Sequence, residues 1–547
     1  MTEFAQDQEY RPVAAAPAPA RQRNFPFLAA LAVSLVIGAA LRIGIVTRSL
    51  DILDRLFVPD DTYYTLSISR SLANGLGPTA DGTTLTSGFQ PLLAFLIVPV
   101  FKIYHTPDAP LRIALILSSL LGLVNAGLLG RIAWRVAGYP AALAAALIWA
   151  VSPVAISASL DGLETSLALA LSLTLTELWC RAREKRQTAY YILAGAAAGL
   201  ALLARVDTVF LVGILGLWEL ARGWRKGLLA AGLAALLVVA PWWAYCLGKF
   251  GTPVPESGAA VRQQVGYHQA SYLKIHQQVG WAASTIAGGP FYDAKRLQEW
   301  LIRSPAASWG LALLIFAAFL AAAAWMYRKR GGIQPWLAWT AHGGILAAFY
   351  TFYLPALWFF RRYLHQTHAV VTVIIAVALG SLWAHRARLR VAPLVGSLFV
   401  IALAASLFQS ALWIWQDPST TPDVSLHGAK GYREVTRDAL AWLPEAAVLG
   451  AFQSGALGYY AAGRFTVVNL DGVVDGQAAR AIRDRRLGEY ALSRNVGYFV
   501  DWPFNYKAFL YFGGGAARQA EFKILGAARP QGPDRTLVSQ IVWKPAK

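Results

Sequence analysis

The chain has 547 residues, of which 56% are hydrophobic and only 14% are charged, and its mean hydropathy is +0.44. Soluble globular proteins have about a quarter of their residues charged, so this composition excludes a soluble protein and is typical of a multi-pass membrane protein. The net charge of +19 arises largely from short Lys and Arg clusters between apolar runs. We interpret these clusters as a signal of membrane topology and expect no nucleic-acid partner.

The two cysteines, Cys180 and Cys246, each lie at or near the end of an apolar run. Neither belongs to a CxxC motif or has a histidine nearby, so the sequence predicts neither a disulfide framework nor a thiolate metal site. His268 and His276 have no His or carboxylate at metal-ligand spacing. We therefore predict no metal-binding residues.

Residues 1–24 are polar and rich in Ala and Pro, which predicts a disordered cytoplasmic tail. Beyond this tail, apolar runs recur along most of the chain, with the length of about 20 residues that a helix needs to cross a membrane. These runs predict eleven transmembrane helices. They lie near 26–47, 112–132, 139–157, 163–180, 190–204, 207–221, 227–247, 306–327, 336–354, 363–384 and 391–414.

The apolar run at 89–104 is short and contains Pro91 and Pro99, so we do not count it as a span. Basic clusters occur between the later runs, at Arg131 and Arg135, 181–186, 222–226, 328–330 and 385–390. Lys and Arg are enriched in cytoplasmic loops, and these clusters share the cytoplasmic side only if 89–104 does not cross. We therefore expect a juxtamembrane or re-entrant helix on the outer face. Twelve spans would follow if it crossed.

The predicted fold is an all-α polytopic membrane domain followed by a soluble α/β extracytoplasmic domain. With eleven spans the N-terminus is cytoplasmic and the C-terminus lies outside. In the C-terminal domain, helical periodicity at 428–443 is followed by the short β-rich runs AVLGAF, FTVVNL and GYFVDW. The predicted parts are the tail (1–24), the membrane domain (25–415, with outer loops at 48–111 and 248–305) and the C-terminal domain (416–547).

The most polar stretch between two strongly apolar ones is 59–91, which begins with Asp60 and Asp61, followed by Tyr63 and Tyr64. A carboxylate within hydrogen-bond reach of a sugar hydroxyl can accept its proton as a new bond forms. Two neighbouring carboxylates repel each other, which raises the pKa of one of them and tunes it for that reaction. The alternative is that Asp60 only caps the start of a helix after a proline.

Four short motifs fall in order on the predicted outer face. They are DDTYY (60–64) with LANGLG (72–77) and TSGFQPL (86–92), then LDGLET (160–165), RVD (205–207) and KFGTPVP (249–255). Together they resemble the GT-C superfamily of polyprenyl-phosphate-dependent membrane glycosyltransferases, in the bacterial branch of arabinofuranosyltransferases and related mannosyltransferase-like proteins. Val206 and Glu256 depart from the Pro and Asn that are usual in the last two motifs. The resemblance covers essentially the whole chain and extends into 450–475.

The resemblance implies a membrane glycosyltransferase that moves a sugar from a polyprenyl-phosphate donor to a glycan, lipid or protein acceptor on the outer face, with inversion. It also implies that Asp60, the first acid of the motif, is the catalytic base and that Asp61 orients it. For Asp161, helix capping is an equal alternative to a site role. We expect substrate binding by Tyr63, Tyr64, Gln90, Asp161 and Glu164.

The donor phosphate requires cationic partners. A planar guanidinium offers paired donors to phosphate and stays charged beside lipid. Arg361 and Arg362 begin a span on the predicted outer side, against the positive-inside bias, with Tyr363 and His365 close behind. We predict that this group binds the donor phosphate. The alternative is that the arginines only reach toward lipid phosphates in general.

Arg205 is a second candidate for the donor phosphate, with simple pairing to Asp207 as its structural alternative. A monophosphate leaving group can depart with cationic help alone, so we predict no required cofactor. Paired acids still permit a divalent cation.

Two other functions remain open on the sequence alone. One is a transporter or flippase of lipid-linked sugars, although we find no clear repeat of the kind that transporters tend to carry. The other is a non-catalytic membrane scaffold that uses the C-terminal domain. The expected location is the bacterial inner membrane, with the C-terminal domain on the periplasmic or extracytoplasmic side.

Overall fold

The computed structural model describes residues 25–223, 225–291, 295–330, 334–416, 430–529 and 535–544. The predicted tail at 1–24 lies outside these residues, and so do residues 417–429 at the start of the predicted C-terminal domain.

The membrane part of the chain is helical, as the apolar runs predict. Short helical turns at Val206–Thr208, Phe349–Tyr353 and Leu357–Phe359 interrupt the series. The helices are α1 (Phe25–Val46), α2 (Leu50–Leu56), α3 (Asp60–Ala73), α4 (Pro91–Ile103), α5 (Asp108–Ala137), α6 (Tyr139–Val151), α7 (Pro153–Ala158), α8 (Thr165–Lys185), α9 (Thr188–Ala204), α10 (Val209–Ala221), α11 (Arg225–Phe250), α12 (Glu256–Ser271), α13 (Ile275–Gly288), α14 (Lys295–Leu301), α15 (Pro305–Arg330), α16 (Pro335–Ala348), α17 (Phe360–Tyr363), α18 (His365–Ala384) and α19 (Ala392–Trp415).

Six helices in the described part of the chain are long and apolar enough to cross a membrane on their own: α1, α5, α11, α15, α18 and α19. Other predicted spans are shorter or interrupted. The run at 139–157 divides into α6 and α7 where Pro153 follows Ser152, because proline disfavours the helical conformation of the residue before it. The chain is a multi-pass membrane protein, and the number of eleven spans stays a prediction.

The run that we predicted not to cross forms α4, with 13 residues. At about 1.5 Å per residue this helix is about 20 Å long, which is less than the roughly 30 Å of hydrocarbon in a bilayer. The length of α4 therefore agrees with a helix that does not cross the membrane.

The interior of the membrane part lies where α6 packs against α1, α5 and α18. Helix α6 reads YPAALAAALIWAV, and its alanines allow the neighbouring helices to approach closely. At the periphery, only 6% of the apolar segment of α15 and 11% of that of α19 are buried inside the protein. Such apolar faces need a lipid environment, because contact between large apolar surfaces and water is unfavourable.

The C-terminal domain is an α/β unit with one five-stranded sheet in the order β2-β1-β3-β5-β4. Strands β2, β1 and β3 are parallel, whereas β5 pairs antiparallel with β3 and β4. The three β-rich runs predicted from the sequence are β1, β2 and β3. The elements are α20 (Tyr432–Leu440), β1 (Val448–Ala451), α21 (Gly455–Ala461), β2 (Thr466–Asn469), α22 (Gly476–Arg483), α23 (Leu487–Ser493), β3 (Tyr498–Asp501), α24 (Pro503–Phe512), α25 (Gly514–Arg518), β4 (Ala520–Arg529) and β5 (Thr536–Trp543).

The C-terminal domain packs on the loop region between α1 and α5 through buried polar contacts. Arg55 of α2 makes a bidentate ion pair with Glu434 of α20, at 2.5 and 2.6 Å. Next to it, the fully buried Asp54 accepts hydrogen bonds from the Tyr63 hydroxyl at 2.5 Å and the Arg433 backbone N–H at 2.8 Å. These contacts fix the sheet domain over the polar stretch that the sequence singles out.

A glycine in that stretch permits a close backbone approach between the two parts. A Cβ built on Gly88 would lie 1.8 Å from the Val473 carbonyl oxygen. We expect Gly88→Ala to reduce the free energy of unfolding by about 1–3 kcal/mol, because one backbone must move to make room. The thermal unfolding temperature of the purified protein in detergent measures this effect.

Gly266→Ala is the matched control, since a Cβ at Gly266 in α12 meets no atom within 4 Å. This control should leave the unfolding temperature equal or slightly raised, as alanine is the better helix former. Equal unfolding temperatures for Gly88→Ala and the wild-type protein would contradict the close approach.

Candidate active site

A cavity of about 830 Å³ lies where α3, α12, α22, the start of α8 and the segment 349–363 meet. Its volume is within the range of about 300–1,000 Å³ that is usual for small-molecule sites. The cavity is rich in charge. Its arginines are Arg205, Arg262, Arg362, Arg480 and Arg483, and its carboxylates are Asp61, Glu164, Asp207 and Glu256.

One acid and one guanidinium from the predicted site meet in the cavity wall. Arg362 donates from Nη1 to Asp61 Oδ2 at 2.8 Å, although the two residues are 301 positions apart in the chain. Asp61 lies in the first turn of α3, and Arg362 lies in α17, just before the bend that leads into α18. Their side chains are 16% and 17% exposed, so the pair is shielded but still reaches the cavity.

The surroundings of this pair tune both groups. Burial raises the pKa of Asp61 above its ordinary value, the Arg362 charge opposes this rise, and Glu164 adds to it. The Arg362 guanidinium lies 4.7 Å from the ring centroid of Phe359 and 5.4 Å from that of Tyr363. Its buried Nε has no hydrogen-bond partner among the described residues. Arg362 is therefore held in place by two rings and retains an unused donor.

The structure corrects the expected position of Asp60. Its carboxylate is 4% exposed and accepts the backbone N–H groups of Gly455 at 2.7 Å and Ala456 at 2.8 Å. Gly455 and Ala456 are the first two residues of α21. Asp60 therefore caps a helix of the C-terminal domain and not its own helix. It does not line the cavity. Burial raises the pKa of Asp60 to about 7.

Arg205 is surrounded by protein acceptors. It is bonded to Glu164 at 2.7 Å, to Asp207 at 2.7 and 3.1 Å, and to the Tyr350 hydroxyl at 3.0 Å. Tyr350 in turn donates to Asp207. The pairing with Asp207, which was the structural alternative for Arg205, is therefore present in the structure. One cation shared between two carboxylates leaves little attraction for a phosphate.

Asp161 also has a capping geometry. Its carboxylate accepts the Leu163 backbone N–H at 2.8 Å and the Thr165 hydroxyl at 2.8 Å, at the start of α8. Its backbone carbonyl accepts from the Thr62 hydroxyl at 2.6 Å. Asp161 does not line the cavity, but it ties the turn before α8 to α3 and so orients the wall that carries Asp61.

Two further predicted substrate-binding residues, Tyr64 and Gln90, line the cavity. The Tyr64 hydroxyl donates to the Phe452 carbonyl at 3.1 Å and accepts from the Asn469 amide at 3.1 Å. The buried Oε1 of Gln90 has no partner among the described residues. Gln90 can therefore bond to a ligand without losing a contact within the protein.

Three predicted site residues lie away from the cavity. Tyr63 is buried against Asp54, and His365 is buried with its ring centroid 5.0 Å from that of Trp149. Arg361 is exposed and is not part of the cavity wall. Their proposed substrate contacts stay predictions without support from the cavity geometry.

In contrast, Tyr363 does line the cavity, where its ring stacks on Tyr350 with 4.1 Å between the ring centroids. This stack joins the wall around Arg362 to the Arg205 cluster.

Several cavity residues were not predicted from the sequence. Arg480 and Arg483 lie three residues apart on α22, and Arg262 lies on α12, where it donates to the Tyr353 carbonyl. An amphipathic helix with a basic face is visible in the sequence at 476–483. Which surface that face meets depends on domain packing, which the local pattern does not contain.

No group of three or more His, Cys, Asp or Glu side chains that could hold a metal ion occurs in the described part of the chain. The prediction that no cofactor is required remains a prediction.

Sequence and structure comparisons bear on the class of protein. Residues 89–245 match the family model described as dolichyl-phosphate-mannose-protein mannosyltransferase. No curated protein sequence matches the chain. Together with the fold and the position of the cavity, the comparisons show that the protein has the fold of the GT-C membrane glycosyltransferases, so the resemblance predicted from the motifs is confirmed.

Solved structures of two proteins are among those similar to the chain. ArnT from Cupriavidus metallidurans in the apo state has a TM-score of 0.53 and 15% identity, and the match covers 94% of this chain and 97% of that chain. The same protein bound to undecaprenyl phosphate has a TM-score of 0.50 and 14% identity, and the match covers 95% of this chain and 98% of that chain. The second protein is the Archaeoglobus fulgidus oligosaccharyltransferase AglB, in complex with an inhibitory peptide and a dolichol-phosphate. It has a TM-score of 0.52 and 15% identity, and the match covers 91% of this chain and 73% of that chain.

The capping role of Asp60 predicts a defect in stability. In Asp60→Ala the N–H groups of Gly455 and Ala456 lose their acceptor in a buried place, which should lower the free energy of unfolding by about 1–3 kcal/mol. Thermal unfolding in detergent and hydrogen exchange of the first α21 amides measure the effect.

Asp60→Asn, which keeps one acceptor oxygen, should lie between Asp60→Ala and the wild type. Unchanged exchange at Gly455 and Ala456 in Asp60→Ala would show that the cap does not hold α21.

Proposed function

We propose that the protein is an integral membrane glycosyltransferase that transfers a sugar from a polyprenyl-phosphate donor to the hydroxyl of a glycan, lipid or protein acceptor. The observation that carries this proposal is the ion pair of Asp61 and Arg362 in the wall of a ligand-sized cavity. The mannosyltransferase family match and the similarity to structures that contain undecaprenyl phosphate or dolichol-phosphate support the choice of donor.

In the proposed reaction the acceptor oxygen attacks the anomeric carbon of the donor sugar. The bond from that carbon to the phosphate oxygen breaks, and polyprenyl phosphate leaves with the bonding electrons. Asp61 accepts the proton of the acceptor hydroxyl. This single displacement inverts the anomeric centre, as the family resemblance implies.

Asp61 is the preferred base because it is the cavity carboxylate that is hydrogen-bonded to Arg362, the proposed ligand of the donor phosphate. Glu164 and Asp207 are both bonded to Arg205. Glu256 lies 3.4 Å from the Ser87 hydroxyl and 3.8 Å from Arg480. We therefore assign the role of catalytic base, which the resemblance implies for Asp60, to Asp61.

Arg362 would bind the donor phosphate and couple donor binding to the activity of the base. The Arg362 charge lowers the pKa of Asp61. When a phosphate binds to the other side of the guanidinium, its negative charge offsets this lowering and Asp61 becomes the stronger base. The unused Nε donor of Arg362 is available to a phosphate oxygen.

The wider features follow from the topology predicted by the charge pattern. The site would face the outside of the bacterial inner membrane, with a cytoplasmic N-terminus and an extracytoplasmic C-terminal domain. The proposed reaction needs no cofactor, and a divalent cation remains possible.

The first test removes the proposed base. Asp61→Asn keeps the size and a hydrogen-bonding oxygen of the side chain but cannot take the proton, so we expect kcat to fall by about 10² to 10⁴-fold. Sugar transfer from a panel of mannosyl and arabinosyl polyprenyl phosphates measures the loss. Asp60→Asn, whose side chain lies behind the wall, should keep far more activity.

The pH profile provides an independent readout. A base must be deprotonated, so kcat/KM should fall as the pH drops through the pKa of Asp61, at a midpoint above the ordinary aspartate value of about 3.9. Full transfer activity in Asp61→Asn, or a greater loss in an equally folded Asp60→Asn, would reject Asp61 as the base.

The second test concerns the phosphate. Arg362→Gln should weaken binding of undecaprenyl phosphate by about tenfold to a hundredfold, because a charge-assisted hydrogen bond is lost. Arg361→Gln is the matched control, since it removes the same charge from the neighbouring position, which does not line the cavity. Binding is measured with the purified protein in nanodiscs. Equal losses in the two variants would contradict a specific phosphate contact.

A further inference from the structure

A second cavity of about 700 Å³ adjoins the first. The two cavities share Glu256, Gly476 and Arg480 in their walls, so they lie side by side. We call the second cavity the side groove. Its polar lining includes Thr83, Thr84, Lys249, Gln477, Arg480 and Arg494.

The side groove has an excess of available positive charge. Lys249 is exposed and has no ion-pair partner among the described residues. Arg480 is 57% exposed, and its contact with Glu256, at 3.8 Å, is long and weak. Arg494 is bonded to Asp81 at 3.0 Å, so this pair is close to neutral. Lys249 and Arg480 are therefore the cations that a ligand can engage.

The remaining lining has the groups that recognise sugars. Arg494 donates to the Thr84 hydroxyl at 2.9 Å and to the Thr83 hydroxyl at 3.3 Å, which holds both threonines in place. The Gln477 amide and the Phe250 ring also line the groove, together with Leu85, Gly476 and the carboxylate of Glu256. Both threonine hydroxyls donate to Asp81, so their oxygens can only accept from a sugar hydroxyl, whereas the Gln477 amide can donate or accept. An aromatic face can cover the apolar face of a sugar ring.

The groove also begins at the expected surface of the membrane. Lys249 and Phe250 are the last two residues of α11, which is one of the helices able to span a membrane. From there the groove passes α22 of the C-terminal domain to the shared residues at the first cavity. A chain in the groove can therefore extend toward Asp61.

We propose that the side groove binds the acceptor, and that the acceptor is an anionic glycan with carboxylate or phosphate groups. This proposal rests on the proposed glycosyltransferase function and names the substrate class of the same site. Lys249 and Arg480 contact the anionic groups, while the acceptor hydroxyl enters the first cavity. The glycan is either a free chain or the headgroup of a glycolipid.

The experiment measures binding of matched charged and neutral probes to the purified full-length protein. Tetragalacturonate and cellotetraose represent the free glycan, and glucuronosyl and galactosyl diacylglycerol in nanodiscs represent the lipid. We expect the charged member of at least one pair to bind about tenfold more tightly at low salt, since two charge contacts contribute severalfold each. High salt should reduce the preference.

The double variant Lys249→Gln with Arg480→Gln should lose this preference. The control, Lys507→Gln with Arg518→Gln, removes the same charge from exposed positions of the C-terminal domain that line neither cavity, and it should keep the preference. Lys249→Gln alone removes an exposed charge that has no ion-pair partner in the described part of the chain. This variant should lose part of the preference even if the double variant folds poorly.

The outcomes separate the two proposals. No charge preference in either probe pair, or a preference that the Lys249 and Arg480 variants retain, overturns the anionic acceptor. A preference in one pair only supports the proposal and assigns the acceptor to a free glycan or to a lipid. Undecaprenyl phosphate binding is measured in the same samples. Donor binding without a charge preference would overturn the acceptor proposal alone. A charge preference without donor binding would support binding of anionic glycans in the side groove but contradict the proposed glycosyltransferase function.

Discussion

The contact between Asp60 and the first turn of α21 is the interaction on which the site depends. A buried carboxylate is costly unless it is hydrogen-bonded, and the two backbone N–H groups that satisfy Asp60 are 395 and 396 positions away in the chain. The loop that carries the acidic pair is therefore in a favourable state only when the C-terminal domain is packed on it. Asp54 repeats this arrangement with the Arg433 N–H. The sheet domain is thus part of the structure that positions Asp61.

The same contact explains how two adjacent acids serve different purposes. Successive residues of an α-helix point about 100° apart, so the side chains of Asp60 and Asp61 at the start of α3 cannot face one surface. Asp60 points to the C-terminal domain, and Asp61 points to the cavity and Arg362. Mutual repulsion of the two acids, invoked from the sequence, contributes less to the raised pKa of Asp60 than burial does.

The sequence predicts those features that local patterns control. The apolar runs define the helices, the β-rich runs define β1 to β3, and the misplaced arginines at 361–362 indicate the partner of the acidic pair. It does not tell which of Asp60 and Asp61, or of Arg361 and Arg362, faces the cavity. That choice depends on helix rotation against distant elements. Arg480 was missed for the same reason, because only the packing of α22 brings its basic face to the site.

The charge balance of the cavity favours a function for Arg362 in the transition state. Arg205 is neutralised by Glu164 and Asp207, whereas Arg362 has, among the described residues, one carboxylate partner and a donor without a partner. In the proposed reaction, negative charge on the phosphate grows as its bond to the sugar breaks. A guanidinium fixed by Phe359 and Tyr363 attracts this growing charge more strongly than the phosphate of the intact donor. Only an interaction that strengthens in this way accelerates the reaction. The aromatic support of Arg362 therefore contributes to the proposed catalysis by holding its charge in place.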